Sequence, residues 1–217
     1  MNIIIKKVRL VAAPVPRQFG TDLTVEVPEE LPEFGIARAT LAEGHPSLTV
    51  SWGDGEETIV TDAAQFPLIH PYAAPDRYTI HLSDDISMLA VSDVVGSAVE
   101  AYKPFLIALR SDAQVLTSTG EFCCHVCSNL AEFDIRNSSI VKIGRTSMKN
   151  CVSLPARLYF PNVNEVVGGG LQAPFKGCTS VEEIHFAKAN EEAITSNPDF
   201  AKSPTLGAPN ATLFFDL

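Results

Sequence analysis

Apolar and polar positions in the second half of the chain follow a pattern that recurs. Three segments lead from a Cys to Leu or Val three residues on, and then to an apolar-x-apolar pair. They are Cys127-Ser128-Asn129-Leu130 with Phe133 and Ile135, Cys151-Val152-Ser153-Leu154 with Leu158 and Phe160, and Cys178-Thr179-Ser180-Val181 with Ile184 and Phe186. Phe133, Leu158 and Ile184 lie 25 and 26 residues apart; a step of 26 back reaches Ile107, and a step of 29 forward reaches Leu213. A period of this size marks a chain wound into stacked coils. Each coil holds one short alternating run, which predicts a strand. About five coils follow, with atypical ends at Ile107 and Leu213, and their strands align into one sheet. No coil can bury its apolar side alone, so its neighbours supply the core and the end coils must cap it.

The first half alternates differently. Residues 2–13 read as a strand ended by Pro14 and Pro16, and Leu23, Val25 and Val27 make a second strand with one wet face. Leu48, Val50 and Trp52 run into Gly53-Asp54-Gly55, with Thr58 to Thr61 returning. Asp-Gly between alternating runs is a strong hairpin signal, because glycine takes positive φ without steric cost. Tyr78, Ile80 and Leu82 share a face of a later strand. Asp84 to Asp93 reads as a linker or as the first wall of the coils, and Ser97 to Tyr102 as a short helix. Residues 187–203 predict about two helical turns stopped before Pro198.

These residues carry two resemblances. Phe175-Lys176-Gly177-Cys178-Thr179-Ser180-Val181-Glu182-Glu183-Ile184-His185-Phe186 resembles the BspA-type leucine-rich repeat of bacterial surface proteins, over roughly the last half of the chain. It departs from that pattern in the first coil, which lacks the Cys, and at Pro155. Trp52-Gly53-Asp54-Gly55, His70-Pro71-Tyr72 and Arg77-Tyr78-Thr79-Ile80 resemble the signature of a PKD-type β-sandwich, with Asp76 standing where glycine is usual. The expected fold is therefore mainly β. An Ig-like, PKD-type β-sandwich over 1–92, best matched over 34–92, precedes a short leucine-rich-repeat solenoid with one sheet over 93–217. The resemblance implies adhesion, and a cell-surface or extracellular setting.

Charge narrows the partners. The 217 residues carry a net charge of −10, which argues against nucleic acid and anionic membrane surfaces. The imbalance sits in residues 1–95, with six Lys and Arg against fourteen Asp and Glu. No apolar run is long enough to predict a membrane span. The opening Met-Asn-Ile-Ile-Ile-Lys-Lys puts its charges after the apolar triplet, unlike a secretion signal.

Candidate chemistry is sparse. Cys123-Cys124-His125-Val126-Cys127 invites a zinc reading, but zinc needs about four ligands around one point. Cys151 and Cys178 lie one and two coils away, on a ladder. Cys127, Cys151 and Cys178 are therefore read as small buried side chains; Cys123 and Cys124 find no role. Asp54, Glu56 and Glu57 offer oxygens to calcium, but a turn-holding Asp54 is the simpler reading. Trp52 is assigned to the core. Gly-x-Ser-x-Gly is absent, and Gly168-Gly169-Gly170 lacks the Lys-Ser/Thr of a phosphate loop and instead permits a bend. We expect no metal, no cofactor and no catalytic residues. The leading expectation is a non-enzymatic module that recognises a protein or glycan through outward residues of the repeat face: Asp134, Arg136, Tyr159, His185 and Lys188. A structural spacer or assembly subunit of a larger surface structure is the second reading, and a glycan-processing enzyme the third.

Overall fold

The computed structural model describes residues 19–217, so the strand expected at 2–13 lies outside the described residues. The chain is mainly β, with several sheets. Its first strands are β1 (Gly20–Val27), β2 (Glu33–Ile36), β3 (Arg38–Leu41), β4 (Leu48–Ser51), β5 (Glu57–Val60), β6 (Leu68–Pro71), β7 (Asp76–Ser83) and β8 (Ile86–Ala90). Then come β9 (Leu106–Ser111), β10 (Ser118–Thr119), β11 (Glu132–Asp134), β12 (Lys142–Ile143), β13 (Arg157–Phe160), β14 (Glu165–Val166), β15 (Glu183–Phe186) and β16 (Thr212–Phe215).

Antiparallel and parallel pairing meet inside the two larger sheets. A six-stranded sheet runs β11-β9-β1-β7-β4-β5, and a five-stranded sheet runs β14-β12-β10-β8-β3. In the first, β1 lies antiparallel to both β7 and β9, and β9 starts a parallel ladder with β11. In the second, β3 is antiparallel to β8, after which β8, β10, β12 and β14 are all parallel. A third sheet, β13-β15-β16, is parallel throughout. One apolar cluster runs from Leu23 and Trp52 to Phe186 and Ala211.

The expectation of a single sheet is corrected, because a second short strand follows each of β9, β11 and β13. β10, β12 and β14 are two residues long, with Thr119, Ile143 and Val166 in register. Two residues are too few for an alternation to be seen in the sequence. Asp84 to Asp93 contains β8, which pairs with β3 on one side and β10 on the other.

The register of the main ladder is partly as expected. Leu158, Ile184 and Leu213 lie side by side on β13, β15 and β16. Phe133, however, lies opposite Leu109 and not Ile107. No ladder joins β11 to β13, which belong to different sheets. The local cause is one extra residue. Cys127 to Phe133 and Cys178 to Ile184 are six residues, whereas Cys151 to Leu158 is seven. The insertion falls at Pro155, whose ring nitrogen has no N–H to donate to a ladder. Inside, the packing remains continuous: Phe133, Phe160, Phe186 and Phe215 form a column with successive ring centroids 6.2, 5.6 and 5.7 Å apart.

All five cysteines are free thiols in the core. The Cys151 Sγ donates to the Cys124 carbonyl at 2.8 Å, and that of Cys178 to the Met148 carbonyl at 2.9 Å. Burial pushes the Cys178 thiol up to about 12. The β4–β5 hairpin turns at Gly53, where φ is 87° and a Cβ would lie 2.5 Å from the Thr79 carbonyl oxygen. Asp54 accepts the Glu56 N–H at 3.0 Å and bonds the His70 ring at 2.8 Å, while Trp52 is buried and stacks on His70 at 4.7 Å. The segment 187–203 forms two short helices, α1 (Glu191–Thr195) and α2 (Pro198–Lys202). Pro198 does more than stop the first: it opens the second, whose first turn is capped by Asn197 accepting the Asp199 N–H at 2.9 Å. The short helix expected over Ser97 to Tyr102 is replaced by a 3-10 turn over Glu100–Phe105.

Candidate functional site

The outward side chains of β13, β15 and β16 are placed by the parallel register. Residues directly opposite in a ladder bring their side chains together. Tyr159, His185 and Phe214 are opposite one another, and their rings stack with centroids 4.9 and 4.7 Å apart. One step along, Arg157 pairs with Glu183 at 2.9 Å. From just beyond β11, the Arg136 guanidinium carbon sits 5.8 Å from the centre of the Tyr159 ring, a cation–π contact that completes the column. Arg136 is aimed by Asp134, which takes two of its N–H groups at 2.9 and 2.7 Å and accepts its backbone N–H at 3.1 Å. Those hydrogen bonds hold the Asp134 carboxyl below its usual range.

His185 is gripped from both sides. Its Nδ1 meets Asp216 at 2.9 Å and its Nε2 meets Glu183 at 3.0 Å. Burial works against the charged imidazole, but the bonds to Asp216 and Glu183 more than offset it and raise its pKa above 6.5. A ring with an acceptor at each nitrogen is held best when both carry protons. The column is thus Arg136, Tyr159, His185 and Phe214, edged by carboxylates.

The broken ladder leaves an opening. A cleft of about 180 Å³ between β11 and β13 is lined by Glu132, Phe133, Asp134, Arg136, Pro155, Arg157 and Tyr159. A larger groove of about 520 Å³ shares Glu132 with it and extends over β9 and β1, past Ala108, Thr24, Arg110 and Arg77. Thr24, Ala108 and Glu132 are opposite one another across β1, β9 and β11. The small side chains of Thr24 and Ala108 keep the groove low there, and Arg110 pairs with both oxygens of Glu132.

Four of the five residues read from the sequence therefore come together: Asp134, Arg136, Tyr159 and His185. Lys188 does not join them. β15 ends at Phe186, and Lys188 lies in the following 3-10 turn, paired with Glu191. Phe214, Arg157 and the groove residues Thr24, Ala108 and Arg110 were missed. For Phe214 and Arg157 the signal was present, since Phe214 sits one repeat step from His185 and Arg157 lies two residues before Tyr159 on the same strand. For Thr24 there was none, because nothing local announces a pairing between β1 and β9. Among the described residues no helix is long and apolar enough to cross a membrane. No family model matches the chain, and no curated protein or solved structure matches it.

Proposed function

We propose that the chain is a non-enzymatic binding module, a PKD-like β-sandwich that continues into a short BspA-type leucine-rich-repeat solenoid and recognises a glycan or a protein through the solenoid's outer strand face. The observation that carries this reading is the cleft between β11 and β13, which opens where no ladder joins them, is lined by Pro155 and shares Glu132 with the groove over β9. Regular repeats with one irregular step concentrate recognition at that step. The lining chemistry suits a polyhydroxylated ligand: guanidinium–carboxylate pairs offer donors and acceptors in fixed planes, and the Tyr159 edge and Pro155 ring supply apolar contact.

The same pairs argue against acid–base chemistry. Hydrolysis of a glycosidic bond needs a carboxylic acid that keeps its proton. In the cleft Asp134 is held ionised by Arg136, and Glu132 is locked to Arg110. The test is a glycan and protein array probed with the purified chain and with an Asp134→Ala, Tyr159→Ala, His185→Ala triple variant. Selective capture by the parent chain, reduced about tenfold or more in the variant, is expected. Capture that the variant retains in full would remove this face from the reading. Absence of any capture would favour a structural subunit.

A further inference from the structure

The second sheet carries a recess of its own, away from the Tyr159 column. It measures about 280 Å³ and is lined by Arg38, Lys142 and Arg145, together with Ser118, Thr119, Gly120, Glu121 and Gly144. Gly120 and Gly144 follow β10 and β12, and a Cβ on Gly144 would lie 2.7 Å from the Gly120 carbonyl oxygen. Close stacking of the coils thus forbids a side chain here, and the recess stays open.

Its cations have donors to spare. A guanidinium carries five N–H groups in a planar fork. Arg38 gives one to the Glu121 carbonyl at 3.1 Å and reaches Asp93 only at 3.5 Å. Arg145 meets the Glu121 carboxylate through one terminal nitrogen at 2.8 Å. The Nε of Arg38 and the Nε of Arg145 are both withdrawn from solvent and find no acceptor among the described residues. Those two atoms lie beneath the surface, so the donors open to a ligand are the terminal guanidinium nitrogens that Glu121 does not occupy. The neighbouring hydroxyls are engaged elsewhere: Ser118 donates to the Thr119 carbonyl, and Thr119 Oγ1 bonds the Gly144 N–H and Ser147 Oγ. Lys142 stands at the recess paired with Glu165 at 2.7 Å.

We propose that this recess binds a small oxyanion, a sulfate, phosphate or carboxylate group, between the guanidinium groups of Arg38 and Arg145 with Lys142 beside it. An oxyanion presents several acceptors in a plane or a tetrahedron, which the guanidinium fork matches two at a time. Glu121 accepts from both guanidinium groups, from Arg38 at its carbonyl and from Arg145 at its carboxylate.

The experiment titrates the purified chain with inorganic sulfate, inorganic phosphate and glucuronate by calorimetry at constant ionic strength. Saturable binding of at least one of them in the millimolar range or tighter is expected; the tetrahedral and planar probes tell which anion geometry the site takes. Arg38→Gln and Arg145→Gln should each weaken it about tenfold, the loss of one charge-assisted hydrogen bond. Arg145→Lys should weaken it too, because an ammonium keeps the charge but not the fork. Thermal melts confirm that each variant is folded, and Lys142→Gln, at an exposed position, serves as the variant least able to disturb the coils. No saturation with any of the three anions overturns the proposal. So does binding that Arg38→Gln and Arg145→Gln leave unchanged.

Discussion

Single residues set how closely neighbouring segments can approach. Gly144 is the clearest case: its missing Cβ would meet the backbone of Gly120 and Glu121 at 2.7 to 2.9 Å, and backbone cannot swing aside as a side chain end can. Gly144→Ala is therefore expected to destabilise the chain by about 1–3 kcal/mol, the usual range for overpacking. Chemical denaturation monitored by circular dichroism checks it. A loss below a few tenths of a kcal/mol would mean that the coils have slack here. Gly44 is the contrast, since nothing lies within 4 Å of a Cβ added there. Its φ of 81° makes any cost conformational and not steric.

Elements show which parts of this architecture the sequence discloses. The main ladder was legible because residue types repeat on strands long enough to alternate: β13 and β15 bury Leu158, Phe160, Ile184 and Phe186 and turn the half-buried Tyr159 and His185 to the other face. The second ladder was not, because β10, β12 and β14 are too short to alternate, and only Gly120 and Gly144, directly after β10 and β12, mark where strands end. The cleft was half legible. Pro155 stood out as a departure from the repeat, but what it does, parting β11 from β13, depends on neighbours beyond the local pattern. The closing strand β16 carries a pH dependence. It is tied to β15 by the ladder and by His185, whose bonds to Asp216 and Glu183 place its folded pKa above 6.5. A raised pKa means that the folded state holds the proton more tightly than the unfolded one. That stabilisation is full below 6.5 and is lost as pH rises through the higher folded value. Glu183 works in the opposite sense: its pKa is lowered from 4.5, first by the His185 hydrogen bond, so its contribution is lost as pH falls through that lowered value. β16 should therefore be held most firmly between the two. Amide exchange of Thr212 to Phe215 should quicken as pH rises past the His185 titration, beyond the intrinsic increase with hydroxide, and His185→Gln should abolish that extra step. A His185 ring that titrates at the ordinary histidine value by NMR would sink this account.

At the scale of the molecule, the question is whether the two halves unfold together. Composition and resemblance place a boundary near residue 92, and the charge imbalance agrees with two unlike surfaces. Yet the backbone ladders cross that position twice. β1 from the first half lies between β7 and β9, and β8 is paired on one side with β3 and on the other with β10. Separating the halves would expose both an edge of β9 and an edge of β10, along with the apolar side chains of Leu106, Leu109 and Leu116, all buried in the shared cluster. Exposed edges and apolar faces of that kind favour aggregation over independent folding. A single cooperative transition is the expected outcome. Trp52, the only tryptophan, reports the first half, and amide exchange of β13 and β15 reports the second. Denaturant midpoints from Trp52 fluorescence and from far-UV circular dichroism should coincide, and residues 93–217 expressed alone should fail to give a folded, soluble chain. If the fluorescence midpoint precedes a second transition in which β13 and β15 lose protection, the coils stand without their neighbour. The ladders across residue 92 would then be contacts between two domains and not the seam of one.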